Sequence, residues 1–110
     1  MPYSEALAAR VRTLLDKTPG LTEKKMFGGV GWMINGNMAV GAHSDGRLMV
    51  RCAKEDTADY TEEDGCNPMH QGGRAMRGWL LVDADVAASD SGLKTWVDRG
   101  RAFAQSLPAK

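Results

Sequence analysis

The sequence predicts an α+β domain: one antiparallel sheet with helices packed on one face. Three observations carry this. Both ends of the chain place apolar residues at helical spacing. Glycine-containing turns break the stretch between them at hairpin distances, and the runs between those turns alternate apolar and polar residues. The predicted order is α-β-β-β-α-β-β-α. With 110 residues, 43% hydrophobic and 25% charged, the chain suits a single domain over 1–110 with its core at about 3–107.

Tyr3, Leu7, Val11, Leu14 and Leu15 share one helical face, so the first helix is expected near 4–17. Ser4 can cap it, and Thr18-Pro19-Gly20 ends it. Three glycines among residues 28–31 indicate a tight turn or bulge between strands. Asn35-Gly36 is a two-residue hairpin signal between strands at 31–34 and 37–43. After the turn Ser44-Asp45-Gly46, Leu48, Val50 and Cys52 alternate with Arg47, Met49 and Arg51. The result is a meander of three or four strands. Residues 53–63 read as a short acidic helix anchored by Tyr60. Residues 65–73 read as a loop, punctuated by Asn67-Pro68 and Gly72-Gly73. A strand follows at 74–82, with Met76 and Leu80 on one parity and Trp79 and Leu81 on the other. The connection to residue 91 has room for one helical turn. Ser91 then caps a last helix near 92–106, whose stripe is Leu93, Trp96, Val97, Gly100, Ala104 and Leu107.

Fourteen basic and fourteen acidic residues leave the net charge at +0, which weighs against a nucleic acid partner. The charge is unevenly spread: +3 over residues 1–52, −5 over 53–64 and +2 over 65–110. Cys52 and Cys66 are too few for a disulfide scaffold. The first residues lack a signal-peptide pattern, and no run reaches the ~20 apolar residues of a membrane span. The expected setting is the cytoplasm, with free thiols and no membrane contact.

Chemical motifs fail on context. Gly28-Gly29-Val30-Gly31 lacks the third glycine and following helix of a dinucleotide loop. His43-Ser44-Asp45 sets triad residue types side by side, where the base cannot meet the nucleophile across folded space. Cys52, Cys66 and His70, with His43 as a fourth, lack the close ligand pairs of a structural zinc site. Cys66 follows Asp64 and Gly65, a setting that discourages a reactive thiolate. Trp32, Trp79 and Trp96 are better suited to a core than to base stacking. The expectation is therefore no catalytic residue, no metal and no cofactor.

The segment Lys25-Met26-Phe27-Gly28-Gly29-Val30-Gly31 resembles the N-terminal domain of the TfoX/Sxy family of bacterial competence regulators. In order after it, Asn35-Gly36-Asn37-Met38, Asp45-Gly46-Arg47-Leu48, Met76-Arg77-Gly78-Trp79 with Val82, and Leu93 with Trp96 resemble the family's later elements. The likeness covers roughly 3–107, without the helical C-terminal domain of full-length members. It departs at Leu48-Met49-Val50-Arg51, where members often carry Leu-Tyr-Leu-Lys. The resemblance implies the same element order and a non-catalytic regulatory module near transcriptional control of DNA uptake. The partner expected is another protein, with self-pairing through an edge strand left open. The partner-surface candidates are Lys24, Lys25, Met26, Phe27, Gly28 and Gly29. A nucleic-acid-contacting module would use Arg47, Arg51, Arg74 and Arg77 instead. An unrecognised small-ligand binder or enzyme is the third alternative.

Overall fold

Six antiparallel strands form one sheet in the order β1-β2-β3-β4-β6-β5. They are β1 (Leu21–Met26), β2 (Gly29–Ile34), β3 (Asn37–Ala42), β4 (Leu48–Arg51), β5 (Cys66–Gln71) and β6 (Arg74–Val82). The helices are α1 (Glu5–Leu15), α2 (Thr57–Thr61) behind a 3₁₀ turn at Lys54–Asp56, α3 (Ala84–Ala88) and α4 (Asp90–Ser106). The computed structural model describes residues 4–26, 28–71 and 73–109. Tyr3, expected to start the first helix, and Phe27, a partner-surface candidate, lie outside the described residues.

The α+β class, the antiparallel sheet and the run of elements follow the expectation. The first meander has four strands. Asn35 and Gly36 both take positive φ, 53° and 84°, as the two-residue hairpin requires. Ser4 Oγ accepts from Leu7 N–H at 3.1 Å and caps α1.

Two local expectations are corrected. Residues 66–71 are a strand, not a loop. Pro68 misleads because it cannot donate to a ladder, but β5 is an edge strand paired only with β6, where a missing donor is tolerated. The cap of α4 is Ser89, not Ser91: Ser89 Oγ accepts from Gly92 N–H at 3.1 Å, so the helix begins two residues earlier.

The helices all lie against one face, called inner here. Val30, Trp32, Val40, Ala42, Leu48, Val50, Leu80 and Val82 line that face and join Leu7, Val11, Leu15, Leu93, Trp96 and Val97 in one core. Burying each such large side chain contributes roughly 1.5–3 kcal/mol. Trp32 is fully buried, and its Nε1–H donates to Glu23 Oε1 at 2.9 Å. Glu23 in turn accepts from Arg12 Nε at 2.7 Å, so edge strand β1 is tied to both the core and α1. Tyr60 meets Trp96 edge-on, at 5.7 Å and 71°, and Arg99 covers both rings while pairing with Glu63 at 2.9 Å. The acidic segment is thereby clamped to α4 through one cation.

α4 reaches the sheet through Gly100, where an added Cβ would stand 2.5 Å from the Ala39 carbonyl oxygen and 2.6 Å from Val40 Cγ1. Gly100→Ala should lower the unfolding free energy by about 1–3 kcal/mol, although alanine is the better helix former. The exposed neighbouring change Ala102→Ser should stay within roughly 0.5 kcal/mol. Urea titration of the two variants checks this.

Candidate functional site

Among the described residues, the opposite, outer face carries no helix. Alternation and the pairing register place Met26, Gly31, Met33, Met38, Gly41, Met49 and Leu81 there. Gly31 and Gly41 sit directly opposite each other on β2 and β3. A Cβ at Gly31 would lie 3.1 Å from Met38 Cε and 3.3 Å from Met26 Sδ. At Gly41 it would lie 2.7 Å from Met49 Cε and 2.9 Å from Met38 Cε. The two glycines therefore form a bare floor over which three thioether side chains lie down.

The β5–β6 hairpin builds the far wall. β6 runs past the end of β4, since Arg51 pairs with Trp79 and five β6 residues precede it. Pro68 pairs with Leu80 and His70 with Ala75, so residues 76–79 oppose Met69 alone. Gly78 takes φ 92°, and the Oγ1 of Thr57 accepts from its N–H at 2.7 Å. Such excess residues bend a strand. The arm curls over the outer face, and Met69, His70 and Met76 line one cavity of about 250 Å³ with Met26, His43 and Met49. The predicted shared face of Met76 and Leu80 is corrected accordingly. Leu80 is fully buried in the core, while Met76 faces the groove, because the irregularity at Gly78 breaks the two-residue alternation.

The polar residues that line the groove are His43, Ser44 and His70, and two cations stand further along its strands. Lys24 lies two residues before Met26 and Arg74 two before Met76; both are exposed, each on the same side of its strand as the methionine. Among the described residues, no ion pair involves either. Asp45, in the turn beside His43, is taken up by Arg47 at 2.7 Å and by His43 Nδ1 at 3.0 Å. The Arg47 guanidinium holds the Asp45 carboxyl down to about 2, against its own partial burial.

The partner-surface candidates divide. Met26 and Gly29 line the groove and Lys24 flanks it, whereas Lys25 lies on the inner parity, opposite Val30. Gly28 is in the exposed β1–β2 turn. The four arginines proposed for nucleic acid do not share one surround. Arg47 is committed to Asp45, and Arg51 lies 5.4 Å from both the Trp79 and Phe103 rings. Arg77 donates to the Lys54 carbonyl at 3.5 Å, and Arg74 stands at the hairpin tip. Sequence reasoning missed Met33, Met38, Met49, Met69 and Met76 as one surface. The parity of Met33 and Met49 was legible, but the register shift that turns Met38 outward and the arm's bend that brings in Met69 and Met76 were not.

The cysteines are both buried and free. Burial pushes the Cys52 thiol up, and burial followed by the Glu63 charge pushes Cys66 up to about 12. Among the described residues, no group of three or more His, Cys, Asp or Glu is arranged to hold a metal ion. No helix among them is long and apolar enough to cross a membrane.

This is an α+β domain with one helix-covered face and one methionine-lined face. The family described as TfoX N-terminal domain matches residues 13–104, and the chain belongs to that family. No curated protein and no solved structure matches the chain.

Two measurements bear on these groups. The Asp45 carboxyl sits below its ordinary value of 3.8 in the folded chain, so its stabilisation is present above pH ~4 and is lost as pH falls towards ~2. Asp45→Asn should therefore lose less stability than wild type between pH 5 and pH 2 in urea titrations. Both thiols should resist a thiol-specific disulfide reagent at pH 8 in the native protein and react at once in denaturant.

Proposed function

We propose that this chain is a non-catalytic protein-interaction module, acting in the cytoplasm in the transcriptional control of competence. The observation that carries the interaction reading is the groove: six methionines lie on a sheet face that no helix covers, four of them around one cavity. Thioether chains are unbranched and polarisable, so they repack around a partner at low cost. A rigid aliphatic surface would be less adaptable. The raised, buried thiols are poor nucleophiles, and among the described residues no hydrogen bond joins the Ser44 hydroxyl to His43 or His70 in the groove. Family membership supports the regulatory setting.

Capture of the tagged chain from native lysate, with nuclease added, tests this. Wild type should retain a transcription-related protein that Met26→Gln/Met49→Gln loses, at unchanged unfolding midpoint. Retention that ignores the double substitution, or that disappears with nuclease alone, sinks the reading.

A further inference from the structure

The size of the cavity and the charges beside it narrow what the groove accepts. At about 250 Å³ it falls below the ~300–1,000 Å³ of ordinary small-molecule sites, and it suits one or two bulky apolar side chains. The floor at Gly31 and Gly41 and the wall thioethers offer no charge to such an anchor. The flanks do. Lys24 on the β1 side and Arg74 on the hairpin side are exposed and lack carboxylate partners among the described residues. No strand residue placed on the outer face is acidic; Glu23, the one acid of β1, points inward to Trp32 and Arg12. Asp45, in the turn beside the groove's His43, is already paired with Arg47. An apolar slot between two unpaired cations is complementary to an apolar anchor between two anions.

We infer that the groove docks an acidic peptide segment of a partner protein, with bulky apolar side chains in the methionine cavity and flanking carboxylates on Lys24 and Arg74. This rests on the protein-interaction reading and names the chemistry of the partner. The neutral anchor supplies desolvation, and the two cations select the partner and speed encounter, with an effect that fades as salt rises.

The test uses a short fluorescent peptide with Phe and Leu between Glu residues, and a twin carrying Lys in place of each Glu. Polarisation titrations against the full chain should show the Glu peptide binding about tenfold tighter than its twin at low salt. Lys24→Glu/Arg74→Glu, both at exposed positions, should reverse the preference. Met49→Gln, neutral and near in shape, should weaken the Glu peptide severalfold. Equal binding of the twins, or a preference that survives charge reversal, overturns the inference. So does groove-dependent self-association in sedimentation without peptide binding, which would assign the face to a second copy. Oligonucleotide retention that depends on Lys24 and Arg74, without peptide binding, overturns it as well. If lysate capture remains dependent on Met26 and Met49 while neither peptide binds, the acidic-segment inference falls and the interaction reading stands.

Discussion

The approach of α4 to β3 governs this molecule. Gly100 lets the helix backbone come within contact of the Ala39 carbonyl, and no larger residue fits between them. With α4 seated there, Leu93, Trp96, Val97 and Ala104 are buried against the sheet, and α1 and α3 have a surface to pack on. The acidic α2 segment is drawn in by Arg99, which stacks on Tyr60 and Trp96 and holds Glu63. All the helical apolar surface is spent on one side, so the other side of the sheet is left to its own side chains.

The two faces solve this differently. The inner face uses branched aliphatics and tryptophan, whose restricted rotamers pack one way. The outer face uses glycine and methionine. Facing glycines at 31 and 41 lower the floor, and Met26, Met38 and Met49 lie across it, half shielding the backbone without a second layer. The bent β5–β6 arm then turns a flat sheet into a groove with two walls. Such a surface is stable alone yet can rearrange, since each thioether has three rotatable bonds.

Edge chemistry favours the proposed docking on a face over pairing along an edge. β1 exposes Glu23, Lys24 and Lys25, and β5 carries Pro68; charge and a missing donor both discourage strand addition. Docking across the outer face leaves both edges as they are.

Much of this architecture was legible along the chain because its causes are local. Asn35-Gly36 demands positive φ at two adjacent positions, Ser4 carries the hydroxyl an orphan N–H needs, and the alternation of Leu48, Val50 and Cys52 with Met49 and Arg51 follows from the pleat. The resemblance rests on such local segments, one of which holds Met26. The strand at 66–71 was hidden because Pro68 and the glycines after it are punctuation marks in any window, and only an edge position makes the proline harmless. The groove was hidden for a stronger reason. Met26, Met49, Met69 and Met76 are separated by up to fifty residues, and they meet only because Gly78 and the unequal β5–β6 register bend an arm across the sheet. Backbone rules act within a few residues and can be read from the chain; which face is left uncovered, and what curls over it, depends on where every other element has already packed.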